Sequence, residues 1–233
     1  MNTSSSRFGL TGNQLKLIAL VTMTIDHVGM MLFPRVRFLR AIGRIAFPIF
    51  AYMIAEGCQH TRNRKKYLLS MVSFAALCQV VYFFAMGSLS MSIFVTFSLS
   101  IGMICLTDYA HSGGRFGKAL LAVAYFGLFF VCYMAHDVLF PKSDFSIMYG
   151  FFGVLLPVFA HLGARKQKQL QYFTAGLVLM NLTWGGIQWY SMAAIPLIAL
   201  YNGKRGKYRM KYLFYVYYPL HLVVIHFLKI LLT

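Results

Sequence analysis

Asp26 and His27 stand side by side in "VTMTIDHVGMMLF", residues 21–33, with apolar side chains on both flanks. An imidazole exchanges protons near neutral pH, and a carboxylate can hold a cation. Neighbours on a helix point about 100° apart, so these two cannot form a simple side-chain dyad. Each needs a partner from elsewhere. Arg44, which opens the run "RIAFPIFAYMIAEG", is the cation expected to pair with Asp26. That pairing leaves His27 facing a cavity, where it suits general-base work. His27 lies roughly twelve residues above the inner end of its segment, about 18 Å along a helix axis, mid-membrane or slightly outward.

Two further groupings carry titratable groups. The last apolar run holds "FYVYYPLHLVVIHFL". On a helix, Tyr217 and Tyr218 lie four and three residues from His221, so both rings can reach that imidazole. Pro219 interrupts the backbone ladder beside them. A catalytic contact and an aromatic belt around a hydrogen-bonded histidine both fit this pattern. Near the end of the second run, Glu56 and His60 share a helical face, one turn beyond Tyr52 and next to "TRNRKK". The group reads equally well as an anion-handling mouth, with Arg62, Arg64, Lys65 and Lys66, or as an interfacial capping cluster.

The elements that must position these residues follow from composition. Of 233 residues, 59% are hydrophobic and 12% charged. Soluble domains carry about 25% charged residues, so this is an integral membrane protein. Lipid satisfies no backbone polar group, so each apolar segment should be a helix. The expected fold is an all-α, polytopic transmembrane bundle of about nine spans (eight to ten), forming a single domain over 1–233 after a polar segment at 1–14. The spans fall near 15–33, 41–58, 67–86, 91–110, 118–136, 147–163, 170–184, 187–201 and 212–232. The seventh and eighth are short, and "WGG" between them marks a broken or re-entrant pair. A retained first span fits the N-terminal region better than a cleaved signal peptide.

The net charge is +17. The bases sit in short clusters after spans two, four, six and eight: "TRNRKK", "HSGGRFGK", "RKQK" and "NGKRGKYRMK". Such loops report orientation rather than nucleic-acid binding, and no nucleic-acid reading module is present. Every even-numbered connection is basic, which places them and the N-terminus in the cytoplasm. "PRVRFLRAIGR", between spans one and two, breaks the pattern. Either the rule is violated there, or some of those guanidiniums turn inward to hold an acid or a substrate. Cys58, Cys78, Cys105 and Cys132 have no CxxC or metal-ligand spacing and read as buried free thiols. No metal site and no permanently bound cofactor is expected. His111 and His161 adjoin basic loops and look interfacial.

The segments "LTGNQLKLIALVTMTIDHVGMMLFP", "LRAIGRIAFPIFAYMIAEGCQHTRN" and "YLFYVYYPLHLVVI" resemble the TraX family. Its function is N-terminal acetylation of pilin in conjugative bacteria, and fimbrial-assembly proteins share its fold. It is akin to transmembrane acyltransferases that use cytoplasmic acyl-CoA. The resemblance maps Asp26, His27, Arg44, Pro48, Glu56, Tyr218, Pro219 and His221 onto its motifs. It implies a bacterial inner-membrane enzyme with catalytic His27, Asp26, Arg44, His221 and Tyr218. Acetyl-CoA would be the co-substrate, its phosphates meeting Arg62, Arg64, Lys65 and Lys66, with Glu56 and His60 completing the cofactor-binding set. The partners would be membrane lipid and a pilin, fimbrial subunit or other extracytoplasmic acceptor. Two other classes stay open on the residues alone: a non-enzymatic assembly factor that docks pilin helices, and a small proton-coupled transporter.

Overall fold

Backbone groups in lipid must pair within their own segment, and the chain meets that demand with helices throughout. The computed structural model describes residues 9–87, 89–134, 138, 144–207 and 210–232. The connection at 137–145 and the start of the polar segment 1–14 lie largely outside the described residues.

The helices are α1 (Gly12–Met31), α2 (Arg37–Gly43), α3 (Ala46–His60), α4 (Arg64–Met86), α5 (Ile93–Ser112) and α6 (Gly114–Tyr133). They continue as α7 (Gly150–His161), α8 (Lys166–Trp184), a 3-10 helix (Gly186–Ala193), α9 (Ala194–Ala199) and α10 (Lys211–Leu232). Among the described residues, five helical stretches are long and apolar enough to cross a membrane, and α7 is a shorter apolar helix. This is a helical membrane protein.

Two segments differ from a simple run of spans. The second expected span begins as the short α2 and breaks at Arg44 before α3 resumes. The expected break at "WGG" is present: Gly185 and Gly186 take φ of 62° and 51°, a left-handed backbone that glycine adopts without a Cβ clash. The chain then winds as a 3-10 helix, a form rarely sustained beyond one turn.

The chain divides into two compact units, Met1–Met53 with Asn181–Thr233, and Ile54–Met180. In the first, α1 packs on α2 and α10, and the 3-10 helix packs on α2 and α9. The start of α1 is fixed by a capping box: Gln14 N–H donates to Thr11 Oγ1, and Thr11 N–H donates to Gln14 Oε1 at 2.8 Å. Two more of the N–H groups that a helix start leaves over find carbonyls, Gly12 at Lys204 (2.8 Å) and Asn13 at Arg205 (3.0 Å). The core here includes Leu15, Ala19, Ile49 and Tyr52, all buried, with Tyr52 edge-on to Tyr201.

In the second unit α5 packs against α4, α6 and α7. Its buried polar residues are satisfied by backbone; Ser100 Oγ reaches the Val154 carbonyl of α7 at 2.7 Å. An apolar cavity of about 740 Å³ lies among α4, α5 and α6, against Val72, Ala75, Gly102 and Leu128, and no ionisable residue lines it. The four cysteines are free thiols, as expected; Cys58 and Cys78 are buried.

Candidate functional site

Asp26 meets Arg44 as the sequence predicts, with Nη2 to Oδ2 at 2.5 Å. It also meets Arg40, whose Nε donates to Oδ1 at 2.9 Å. Both carboxylate oxygens are therefore taken by guanidinium N–H groups, one from each arginine, in charge-assisted hydrogen bonds. The side chains of Asp26 and Arg44 are mostly buried, while Arg40 is one-third exposed, at 33%. Arg44 extends further: its Nη1 donates to Gln188 Oε1 at 3.3 Å. Two guanidiniums thus share one carboxylate. Close approach of α1 to α2 makes this possible, since Gly43 and Gly29 offer no β-carbon at the crossing.

His27 is not solitary. Its Nδ1 lies 2.8 Å from Nε2 of His221 on α10, with the ring centroids 4.9 Å apart. The direction of this bond follows from its far end. His221 Nδ1 lies 3.0 Å from the Tyr217 carbonyl, which only accepts, so Nδ1 carries the hydrogen. In a neutral His221 the Nε2 is then the acceptor, and His27 Nδ1–H donates to it. The basic lone pair of His27 is left on Nε2, and among the described residues that nitrogen has no hydrogen-bond partner.

The flanking tyrosines are both in place. Tyr217 stacks on His221 with ring planes 10° apart, and buried Tyr218 meets it at 67°. The Tyr217 hydroxyl sits 2.7 Å from Thr24 Oγ1, whose own hydrogen goes to the Leu20 carbonyl at 2.9 Å. Tyr217 therefore donates to Thr24. A groove of about 230 Å³, lined by Thr24, Val28, Leu39 and Tyr217 among others, opens on the neighbouring face of α1. His27 is not among the residues that line this groove.

The candidate phosphate-binding residues lie in the second unit. Arg62, Lys65 and Lys66 are exposed where α3 gives way to α4. His60 Nδ1 bonds the Glu56 backbone carbonyl at 2.9 Å, and the Glu56 carboxylate stands 3.8 Å away. Arg64 is committed elsewhere: it ion-pairs with Asp108 and donates to the Cys58 carbonyl at 3.1 Å. His161, which looks interfacial in the sequence, instead has a largely buried side chain whose Nε2 is 3.0 Å from Asp108. This trio ties the ends of α4, α5 and α7 together.

With this geometry in view, comparison with known proteins decides the lineage. The profile of the family described as TraX protein matches residues 11–229. The chain belongs to the TraX family. It is similar to the probable fimbrial assembly protein FimC, serogroup H1, of Dichelobacter nodosus: 26% identity, covering 91% of this chain and 93% of that protein. A shorter stretch of 38 residues is 50% identical to an uncharacterized protein of Rickettsia prowazekii (strain Madrid E), covering 16% of this chain and 15% of that one. No solved structure matches the chain.

In this TraX member, Asp26, Arg44, His27, His221 and Tyr218 all fall in one compact unit, where their contacts form two groups, Asp26 with Arg44 and His27 with His221 and Tyr218. Glu56, His60, Arg62, Arg64, Lys65 and Lys66 fall in the other. Three contributors were not singled out from the sequence. Arg40 lies four residues before Arg44, on the same helical face, which was a usable signal. Gln188 reads in the sequence, with Asn181 and Trp184, as a polar group in the short seventh and eighth spans, where packing is favoured over lining a pocket. Thr24 carries no signal beyond its hydroxyl.

Proposed function

We propose that this protein is a membrane acyltransferase that moves an acetyl group from acetyl-CoA to an extracytoplasmic amine, such as the N-terminus of a pilin or fimbrial subunit. The observation that carries this reading is the directed pair His27–His221, which presents one basic nitrogen, His27 Nε2, on α1. Ionisable residues at membrane depth are expensive, so they are retained for work. Membership of the TraX family and the likeness to a fimbrial assembly protein support the pilus-related acceptor.

An ammonium is not a nucleophile, so the acceptor first gives one proton to water and reacts as the neutral amine. His27 Nε2 accepts a proton as the amine nitrogen attacks the thioester carbon, and His27 Nδ1–H stays donated to His221, which holds the ring in its working tautomer. The π pair moves onto the carbonyl oxygen. When that oxyanion collapses, the C–S bond breaks and the CoA thiolate takes the proton from Nε2. The positive cluster around Arg44 favours the oxyanion. Exposed Arg62, Lys65 and Lys66 would meet the donor's phosphates, with Glu56 and His60 beside them and Arg64 serving chiefly as a brace for Asp108. The basic even-numbered connections support a cytoplasmic position for that face and for the N-terminus, in a bacterial inner-membrane protein of about nine spans.

A second reading is a non-enzymatic assembly factor, favoured by the name of the FimC relative alone. Intact-mass analysis of pilins from cells with and without the gene separates the two. Loss of one acetyl group on deletion supports the enzyme. Unchanged pilin mass with loss of filaments supports the assembly factor.

A further inference from the structure

We propose that the groove between α4, α5 and α6 binds an anionic phospholipid, its acyl tails lying on α5 and its phosphate at the basic end of the groove. The site lies wholly within the second unit and is independent of the acyl-transfer reading.

Helix packing builds the groove. α4 and α6 both pack on α5, so α5 is its floor and the other two are its walls. All three are among the helices long and apolar enough to cross a membrane. Small residues keep the space open: Ala75 and Ala76 on one wall, Ala124 and Gly127 on the other, and Gly102 on the floor. A β-carbon added at Gly102 or Gly127 would meet no atom within 4 Å, so neither glycine serves a close helix crossing. Glycine inside a helix weakens it, and what these two provide is empty volume. Val72, Ala76, Gly127 and Val131 are exposed, so the groove opens on the flank of the spans, where lipid lies.

Length and charge choose the occupant. On α5 the lining runs from Val95 to Leu106, about 16 Å of helix. That is about half of a 30 Å hydrocarbon core, or one leaflet. A transmembrane helix would need the whole core, whereas the tails of one lipid need a single leaflet. A methylene is about the size of a water molecule, ~30 Å³, so the volume of about 740 Å³ holds roughly two dozen of them. The bases lie at one end. Lys65 stands one turn before Leu68 on the groove side of α4, and Arg115 and Lys118 lie at the start of α6; all three are exposed. These helix ends meet, since Asp108, two residues beyond Leu106, ion-pairs with Arg64 at the start of α4. That acid is already bonded to Arg64 and His161. Towards the other end, near Gln79 and Ile147, the charged side chain described is an acid, Asp144. A basic mouth between spans suits a phosphate that carries no balancing ammonium. Lys66 points about 100° further round α4 and is left, with Arg62, for the soluble donor.

Native mass spectrometry of the purified protein, titrated with phosphatidylglycerol or with phosphatidylcholine of the same tails, tests the site. Wild type should bind one phosphatidylglycerol at least about tenfold more tightly than phosphatidylcholine. A single base near a lipid phosphate is worth roughly fivefold, so Lys65→Gln should weaken phosphatidylglycerol by about that factor and leave phosphatidylcholine unchanged. Gly102→Leu combined with Gly127→Leu fills the groove and should weaken both lipids by more than about tenfold. Leucine is the better helix former, so the double variant should unfold no lower than wild type. Gly127→Leu alone, at an exposed position, should show a smaller loss of the same kind and serves if the double variant does not fold. Equal wild-type affinity for the two lipids overturns the proposal, as does wild-type binding in the leucine variants. Glycerol phosphate bound as tightly as the lipid would make this a soluble-phosphate site instead. A dimer or a bound peptide that the leucine variants lose, in place of lipid, would give the groove to a second copy or a partner helix, and would overturn it too.

Discussion

The side chain of Asp26 occupies the space where a β-carbon of Gly43 would stand, overlapping it with Cβ, Cγ and Oδ1. Gly29, one turn further along α1, meets Leu39 in the same way, where an added β-carbon would lie 2.7 Å from Leu39 Cβ. These two glycines let α1 and α2 approach closely enough for Asp26 to reach Arg40 and Arg44. Gly43→Ala should push the helices apart and loosen both ion pairs. Overpacking of this kind costs about 1–3 kcal/mol. Thermal unfolding in detergent should show a lower midpoint, by about 2–4 °C for each kcal/mol lost, together with reduced acetyl transfer. A Gly43→Ala protein with wild-type midpoint and turnover would mean that the helices do not meet so closely.

The His27–His221 bond makes the two histidines unequal. Removing the base, in His27→Ala or His27→Gln, should cost about 10²–10⁴-fold in acetyl transfer while the protein remains folded. His221 acts through His27, so its replacement should be graded. Gln at 221 can still offer an acceptor oxygen to His27 Nδ1–H. Phe keeps the stack on Tyr217 but offers none. Initial rates of acetyl transfer should therefore rank wild type above His221→Gln, and that above His221→Phe. Equal rates for the two variants would show that the tautomer of His27 is set by something else.

Asp26 is a counter-ion shared by two guanidiniums, so losing it should hurt more than losing either partner. Asp26→Asn leaves Arg40 and Arg44 facing each other without a counter-charge, and breaking a buried pair in this way costs about 3–5 kcal/mol. Arg40→Ala removes the more exposed partner, whose side chain is 33% accessible, and should be milder. Arg44→Lys keeps the charge but not the fork. A single ammonium cannot reach both Asp26 and Gln188 as Nη2 and Nη1 do, so turnover should drop. Unfolding midpoints across the three variants test the order, with Asp26→Asn the lowest. An Arg40→Ala protein less stable than Asp26→Asn would contradict it.

Much of this arrangement was legible in the sequence, for physical reasons. An acid in an apolar run must find a cation, and Arg44 was the nearest at membrane depth. Three- and four-residue spacings on a helix put Tyr217 and Tyr218 against His221. The pairing of His27 with His221 was not legible, because nothing local in either helix tells which faces of α1 and α10 meet. Nor was the fate of Arg64. Its neighbours Arg62, Lys65 and Lys66 are the same kind of loop cation, and only packing at the ends of α5 and α7 turns Arg64 towards Asp108. Gln188 was visible as a polar residue, but its bond to Arg44 is a property of three-dimensional contacts. The break at "WGG" announced itself through glycine, while the 3-10 winding after it did not.

The arginine-rich stretch 35–44 was the one exception to an orientation rule that every other connection obeys, and the structure removes half of the exception. Arg40 and Arg44 are turned onto Asp26, so they are not free loop charges; Arg35 and Arg37 remain exposed. The charge that would hold this connection in the cytoplasm is thereby reduced, and the basic even-numbered connections should win. In a background with the four native cysteines replaced, single cysteines at Arg115, Arg165 and Lys204 should react with an impermeant maleimide only after cells are broken. Cysteines at Leu89 and Trp184, exposed side chains at the ends of odd-numbered connections, should react in intact spheroplasts. Labelling of Arg165→Cys in intact spheroplasts would invert the topology. It would also put the exposed Arg62, Lys65 and Lys66 on the wrong side of the membrane to meet cytoplasmic acetyl-CoA.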